Sequence, residues 1–125
     1  MKTLSAPLMK FEKSIAGYHM LVILSEVDGY FDTAEKKIIA QYIKDNTPSL
    51  VNLEVQDRIL STLPKELYME HFEKVANDFY WQSTPEERNG FVNFAFKLVK
   101  ADKNISKEEN KYIDALYNIW DLAVE

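Results

Sequence analysis

The chain contains no cysteine, only three glycines and four prolines, and no long apolar run among its 125 residues. The absence of cysteine excludes a disulfide scaffold, a thiolate zinc site and a cysteine nucleophile. So few glycines and prolines argue against a β-sandwich, which needs a turn signal every ~8–12 residues. The most apolar run, residues 20–24, is far shorter than the ~20 residues that a membrane-spanning helix requires. We therefore expect one soluble domain without a membrane span.

The charge of the chain argues against a nucleic-acid partner. It has 20 acidic and 15 basic residues, a net charge of −5, whereas binding to a phosphate backbone requires clustered lysine and arginine. Two predicted helices begin with Glu35 and with Glu108 and Glu109, which would repel duplex DNA. Residues 1–4 do not begin the apolar core of a signal peptide, so we expect a cytoplasmic protein.

Apolar residues recur at helical spacing along almost the whole chain. This pattern predicts a first helix from about residue 5 to Val27, apolar on every face over residues 20–24 and therefore central. Thr84, Pro85 and Glu87 combine an N-cap, a proline in the first helical position and a capping box. Further helices are predicted over about 33–46, 50–62, 64–81, 85–101 and 107–122. No segment is typical of a strand, so we predict an all-α bundle of six or seven helices.

The apolar stripes of these helices identify a candidate core, while the lysines of the second helix, Lys36, Lys37 and Lys44, are predicted to face outward. The residues predicted to face inward are Leu4, Leu8, Phe11, Ile15, Ile38, Ile39, Tyr42, Val55, Ile59, Leu60, Tyr68, Phe72, Val75, Phe79, Phe91, Phe94, Ala95, Leu98, Ile113, Leu116 and Trp120.

Two eight-residue segments share one pattern. Residues 28–35 read Asp-Gly-Tyr-Phe-Asp-Thr-Ala-Glu, and residues 102–109, 74 positions later, read Asp-Lys-Asn-Ile-Ser-Lys-Glu-Glu. In each, an aspartate is followed after three residues by an apolar side chain, then by a capping residue, and three residues later by glutamate. The pattern predicts duplicated helix–turn–helix units over about 8–46 and 82–122, with the helices of about 47–81 inserted between them, all within one domain of residues 1–125.

This doubled motif, Asp-Gly-x-apolar-[Asp/Ser]-x-x-Glu, in an all-helical chain resembles the TerB-like family. Its members are bacterial proteins grouped with tellurite resistance, and the same domain occurs fused to co-chaperone J-domains. The resemblance extends from about Tyr18 to Trp120 and departs at Lys103, where the family usually has glycine. It implies a compact helical bundle with pseudo-twofold organisation in the bacterial cytoplasm, and it implies no settled biochemical activity.

The repeated turns carry the candidate metal ligands. A hard divalent cation shared between the turns would use Asp28, Asp32, Glu35, Asp102 and Glu109, and Glu26 adds a further carboxylate nearby. A calcium-binding EF-hand is excluded because its first ligand position would fall on Leu24 in one copy and on Leu98 in the other.

Helix capping is the alternative explanation of the same acidic residues. Asp32 and Ser106 are placed as N-caps, and Glu35 and Glu109, three residues later, complete capping boxes. The aspartate that opens each motif lies beside the positive N-terminal end of the next helix. Capping therefore explains every spacing without a metal, and both hypotheses stay open.

Catalysis has little support in the sequence. His19 and His71 are the only histidines, and neither has the spacing of a zinc protease or a di-iron protein. P-loop, dinucleotide-binding and nucleophile-elbow motifs are absent from the sequence as well. We expect no enzyme and no cofactor, the divalent cation being the one alternative. His19 is predicted to be a hydrogen-bonded core or boundary residue, and His71 a boundary residue.

The consecutive aromatic residues Phe79, Tyr80 and Trp81 cannot all face one core. Either two are buried and the third covers the end of the bundle, or they form part of an aromatic contact site for another protein. Together these features predict a TerB-like, non-enzymatic domain that binds a protein partner, with the link to tellurite or metal stress implied by the resemblance alone. The alternative is a divalent-cation-binding protein that uses the turns at residues 28–35 and 102–109.

Overall fold

The computed structural model describes residues 11–27, 33–47, 52–100 and 107–121. Within these ranges the chain forms six α-helices and a 3₁₀ turn and contains no strand, so the prediction of an all-α bundle is confirmed. The elements are α1 (Lys13–Glu26), α2 (Thr33–Asn46), α3 (Leu53–Ser61), the 3₁₀ turn (Lys65–Leu67), α4 (Tyr68–Gln82), α5 (Pro85–Lys100) and α6 (Lys107–Trp120). In this part of the chain, no helix has the length and hydropathy of a membrane span.

Helix α1 is the centre of the bundle. All its residues from Ala16 to Ser25 are buried, as the apolar run predicts, and it packs against α2, α3, α4 and α5. Helix α6 packs against α4 on the other side, where Trp120 Nε1 donates a 2.7 Å hydrogen bond to the carbonyl oxygen of Ala76. A helix that is apolar on every face is stable only when other helices surround it.

Gly17 allows the other helices to approach α1 closely. A Cβ atom at this position would lie 3.2 Å from Ile43 Cδ1 and 3.4 Å from ring atoms of Phe79 and Phe91. These three side chains come from α2, α4 and α5. A Cβ at position 17 would therefore touch all three side chains and would require Ile43 to shift by a few tenths of an ångström, so glycine suits this closely packed position.

The predicted start of α5 is confirmed in detail. The Thr84 amide donates to Glu87 Oε1 at 2.8 Å, and the Glu87 amide donates to Thr84 Oγ1 at 3.1 Å. This reciprocal pair is a capping box, which satisfies two amides that the helix itself leaves without partners. At the start of α3, Asn52 Oδ1 similarly accepts from the Val55 amide.

The prediction of a first helix that already includes Phe11 was wrong, because α1 begins at Lys13. The Phe11 amide instead donates to Asp78 Oδ2 at 3.1 Å, and Gln82 Nε2 donates to the Phe11 carbonyl oxygen at 2.6 Å. Side chains near the end of α4 thus hold this segment in place of helical bonds. The predicted inward residues Leu4 and Leu8 lie outside the described residues.

Three residues predicted for the core are exposed instead, namely Ile38, Val55 and Ile59. The buried side of α2 carries Ile39 and Ile43, which places Ile38, 51% exposed, on a neighbouring face. The buried side of α3 carries Gln56 and Leu60, because that helix meets α1 partly through hydrogen bonds. The other inward residues from α1 to α6 are buried or partly buried, Ile15, Tyr42 and Phe94 among the latter.

The two repeated turns, residues 28–32 and 101–106, lie outside the described residues. The helices on either side of each turn, α1 and α2 for the first and α5 and α6 for the second, are present as the repeat requires. The duplication itself stays a prediction.

Candidate functional site

The five acidic residues predicted as metal ligands are only partly within the described residues. Asp28, Asp32 and Asp102 lie outside them, whereas Glu35 stands in the first turn of α2 and Glu109 in the first turn of α6. Glu35 is half-buried and Glu109 is only 2% exposed. A carboxylate withdrawn from water requires hydrogen-bond donors or a cation to balance its charge. The capping hypothesis provides hydrogen-bond donors, namely backbone amides, and the metal hypothesis provides a cation.

A hydrogen bond between Tyr68 and Glu26 shows which helix ends meet at one end of the bundle. Tyr68 OH at the start of α4 donates to Glu26 Oε1 at the end of α1 over 3.0 Å. Burial, followed by this bond and the Glu26 charge, raises the pKa of Tyr68 to about 12. The Tyr112 ring of α6 contacts Phe72 edge-to-face at 5.1 Å between centroids. The end of α1 and the first halves of α4 and α6 therefore meet at one end of the bundle.

Within the ranges that the structure describes, no three histidine, aspartate or glutamate side chains are grouped so that they could hold a metal ion. A metal site would therefore depend on the aspartates of the two turns, Asp28, Asp32 and Asp102. The divalent-cation hypothesis stays a prediction.

The three consecutive aromatic residues near the end of α4 have three different environments. Phe79 is buried, with ring centroids 5.0 Å from Phe91 and 5.1 Å from Trp120. Tyr80 is half-buried, and Trp81 is 67% exposed. The Tyr80 and Trp81 rings meet edge-to-face at 5.2 Å. One ring therefore belongs to the core, and the other two reach the surface side by side.

Arg88 of α5 completes this surface. Its guanidinium carbon lies 4.3 Å from the centroid of the Tyr80 ring, within cation–π distance. Its Nη1 donates to the carbonyl oxygens of Tyr80 and Ser83 at 3.0 and 2.7 Å and to Ser83 Oγ at 3.1 Å. These carbonyls belong to the negative C-terminal end of α4, so Arg88 stabilises that end and is itself held in one position. We call Tyr80, Trp81 and Arg88 the aromatic–arginine surface.

A shallow cavity of about 260 Å³ lies beside the aromatic–arginine surface. Asp121 at the end of α6 contributes to its wall and has a left-handed backbone (φ 54°), which aspartate tolerates better than most residues. The cavity is lined by Tyr80, Pro85, Arg88, Asn89, Trp120 and Asp121. The surface therefore combines a projecting indole ring with an adjacent depression.

The two histidines form a hydrogen-bonded chain in the core. His19 Nδ1 lies 2.8 Å from His71 Nε2, and His19 Nε2 lies 2.8 Å from Gln56 Oε1. Phe11 covers both imidazole rings, at 5.2 and 5.7 Å between centroids. His19 is fully buried, so of the two predicted positions, core or boundary, it takes the core; His71 is half-buried, as predicted for a boundary residue.

Burial is the main cause of the pKa shifts of this pair. It lowers the pKa of His19 to about 4, with a smaller contribution from the neighbouring His71, whereas the Gln56 hydrogen bond acts in the opposite direction. Burial also lowers the pKa of His71, supported by Lys74 and opposed by Asp78. Both rings are therefore neutral at pH 7. Because His19 is inaccessible, this pair joins helices and is not placed to act on a bound substrate.

A second polar contact fastens α3 next to the histidines. Tyr18 OH donates to Asp57 Oδ1 over 2.6 Å, and the other carboxylate oxygen of Asp57 pairs with Lys36 of α2. Burial, followed by the hydrogen bond and charge of Asp57, strongly raises the pKa of Tyr18. Helix α3 is thus attached to α1 by two adjacent pairs, Tyr18 with Asp57 and His19 with Gln56.

Neither the role of Arg88 nor the polar partners of α1 could be predicted from the sequence. Arg88 follows Tyr80 by eight residues, and the turn between α4 and α5 interrupts the periodicity that would relate two such positions within one helix. Gln56 and Asp57 lie 37 and 39 positions from their partners. Contacts of this kind depend on tertiary packing, and no local sequence pattern encodes them.

No protein-family model, no curated protein and no solved structure matches this chain. The TerB-like resemblance accordingly rests on the doubled turn motif and on the helices that flank it.

Proposed function

We propose that this chain is a TerB-like, non-enzymatic helical domain that binds a protein partner, with the aromatic–arginine surface as the contact site. Tryptophan, tyrosine and arginine are the residue types most enriched where binding energy concentrates in interfaces. The observation that supports the proposal is the 67% exposure of Trp81 directly beside Tyr80 and Arg88. A single exposed aromatic residue is ordinary, whereas this combination is not.

The rigidity of the surface favours binding. Arg88 Nη1 makes three hydrogen bonds and its guanidinium group stacks on Tyr80, so little conformational freedom is left for a partner to remove. A buried aromatic side chain removes about 150–250 Å² from water, which makes Trp81 a suitable anchor. The depression next to it provides room for a side chain of the partner.

The setting of this function follows from the resemblance. We propose a cytoplasmic bacterial protein that takes part in a response to tellurite or metal stress. The presence of α1 and α2 on either side of residues 28–32, and of α5 and α6 on either side of residues 101–106, supports this assignment because the doubled motif requires a helix before and after each segment.

Affinity capture tests the proposed contact site. The full chain is immobilised and exposed to bacterial cytoplasmic extract as the wild type, as Trp81→Ala and as Ile38→Ala. Ile38 is the matched control because it is an apolar residue of similar exposure on another helix. We expect at least one protein that the wild type and Ile38→Ala retain and Trp81→Ala loses. With the purified partner, the loss of a hot-spot residue should weaken binding by about 30-fold, corresponding to ~2 kcal/mol.

The proposal would be wrong if every retained protein bound Trp81→Ala as well as it bound the wild type. The folded state of the variant is checked by its melting temperature, which should stay close to that of the wild type because exposed side chains contribute little to stability.

Divalent-cation binding at the acidic turns is the second candidate function. It is favoured by the clustering of carboxylates in the two turn segments, because hard divalent cations prefer oxygen ligands. The candidate ligands are Asp28, Asp32, Glu35, Asp102 and Glu109, as the sequence predicts. A rise in melting temperature with millimolar calcium, magnesium or manganese would separate this function from capping.

A further inference from the structure

A second cavity, of about 190 Å³, lies on another part of the bundle, where α2 and α5 cover α1. Its walls include the buried side chains of Ile43, Phe79 and Phe91. A cavity of about 150 Å³ is large enough to hold benzene in a protein interior. The space therefore suffices for a small aromatic or branched aliphatic group.

Two helix-interior glycines are associated with this cavity for different reasons. Gly17 touches the cavity-lining side chains of Ile43, Phe79 and Phe91 and is favoured by packing, since its Cβ would lie 3.2 Å from Ile43 Cδ1. Gly90 borders it and is not required, because the atom nearest to its Cβ would be the Tyr42 hydroxyl oxygen at 3.8 Å. Glycine destabilises a helix interior relative to alanine. Its presence at position 90 is explained if the cavity has to stay open.

The rim of the cavity carries net negative charge. Lys13 Nζ pairs with Glu87 Oε2 at 2.7 Å, and Glu87 Oε1 accepts from the Thr84 amide. Glu86, an exposed residue on the same rim, makes no ion pair within the described residues. One lysine therefore faces two carboxylates, so the side chains on the rim carry one excess negative charge.

We propose that this cavity binds a small organic cation, an ammonium group attached to an aromatic or branched aliphatic body. The apolar body would lie against the cavity wall formed by Ile43, Phe79 and Phe91, and the ammonium group would stay at the rim near Glu86. Carboxylates attract such a cation, and the faces of aromatic rings stabilise it further. An anion of the same shape would be repelled. This inference is independent of the partner-binding function proposed above.

Three probes of similar shape and different charge test the proposal on the full chain: benzylamine, benzyl alcohol and benzoate. Their dissociation constants are measured at pH 7 from amide shifts in NMR titrations at millimolar concentrations. We expect benzylamine to bind most tightly and benzoate most weakly, with the largest shifts around Tyr42 and Gly90. The proposal is overturned if none of the three binds, or if benzyl alcohol binds at least as tightly as benzylamine.

Variants locate the binding site and keep the test independent of folding. Gly90→Leu fills the cavity and should weaken benzylamine binding at least tenfold, whereas Trp81→Ala, which changes the aromatic–arginine surface, should leave it unchanged.

Glu86→Gln removes one rim charge from an exposed position, where folding is not at risk. It should weaken benzylamine binding about two- to fivefold, which is the range expected for an exposed charge pair. It should leave benzyl alcohol binding unchanged. Unaltered benzylamine binding by Glu86→Gln would refute the charge recognition.

Discussion

His19 and His71, 52 positions apart in the sequence, share a hydrogen bond in which Nδ1 of the first lies 2.8 Å from Nε2 of the second. Because Gln56 Oε1 can only accept, His19 Nε2 carries a hydrogen and its Nδ1 is the acceptor for His71 Nε2. This arrangement requires His19 to be neutral. Protonation of His19 would place a charge in a fully buried site, and His71 would have to move its hydrogen from Nε2 to Nδ1 to keep the bond between α1 and α4.

The first prediction concerns stability as a function of pH. The fold lowers the pKa of His19 from 6.5 to about 4, so the unfolded chain binds the proton more tightly. Stability from this group is therefore fully present above pH 6.5 and is lost as the pH falls towards 4. The loss should be on the order of 3 kcal/mol in the free energy of unfolding. Urea denaturation at a series of pH values between 7.5 and 4 measures it.

Two variants assign the pH dependence to the histidine pair. His19→Gln cannot titrate, so the free energy of unfolding of this variant should depend less on pH over the same range. His71→Gln should have a smaller effect, because His71 is only half-buried and faces both Lys74 and Asp78. If wild type and His19→Gln lost stability equally as the pH fell, the carboxylates would account for the acid sensitivity.

The second prediction concerns the capping box of α5. Thr84→Ala removes the oxygen that accepts from the Glu87 amide at 3.1 Å, and it should destabilise the protein by about 0.5–2 kcal/mol. Thr84→Ser keeps that oxygen and should retain most of the stability. Chemical denaturation of both variants at pH 7 provides the comparison. Equal losses in the two variants would show that the threonine methyl group, and not the cap, is responsible.

The sequence predicts helices better than it predicts their orientation in the bundle. Apolar periodicity, together with start signals such as Thr84 and Pro85, is a local property, and α2 occupies the predicted residues 33–46. Apolar periodicity does not predict which side of α2 is buried: Ile38 and Ile43 border the same apolar stripe, yet Ile38 is exposed and Ile43 is buried. Which of the two becomes buried depends on the helices that pack against α2.

Polar residues in the core limit the prediction further. Gln56 is buried because it accepts a hydrogen bond from His19, so α3 turns Val55 and Ile59 outward, opposite to what hydrophobicity alone predicts. The candidate contact site could be predicted in part, since three consecutive aromatic residues cannot all be buried. The position of Arg88 over Tyr80 could not, because it depends on the turn between α4 and α5.

The third prediction contrasts the two tryptophans. Trp120 is buried, donates to the Ala76 carbonyl oxygen at 2.7 Å and packs against Phe79, so Trp120→Ala should cost about 3–5 kcal/mol of stability. Trp81→Ala removes an exposed ring and should change stability by less than about 0.5 kcal/mol. Urea denaturation followed by circular dichroism compares them. A large loss in Trp81→Ala would mean that this ring serves the fold, which would weaken the case for a contact site.

The last prediction separates capping from metal binding at the acidic turns. If Asp28, Asp32 and Glu35 cap helices, their partners are backbone amides, and millimolar calcium, magnesium or manganese should leave the melting temperature unchanged. If they bind a cation, an ion present at about 100 times its Kd should add about 2.7 kcal/mol of stability. We expect no change, because capping accounts for every spacing in both turns. Differential scanning calorimetry with and without each ion makes the measurement.

Asp28→Asn and Asp114→Asn decide the interpretation if a shift is observed. Asparagine keeps the turn-forming hydrogen bonds of aspartate but lacks the charge that a hard cation requires. A bound ion would therefore raise the melting temperature of the wild type and of Asp114→Asn, whose carboxylate is exposed on α6, and would not raise that of Asp28→Asn. That result would contradict our expectation. A carboxylate that caps a helix accepts from backbone amides, so its replacement should alter the effect of a divalent ion on the melting temperature no more than the replacement of Asp114 does.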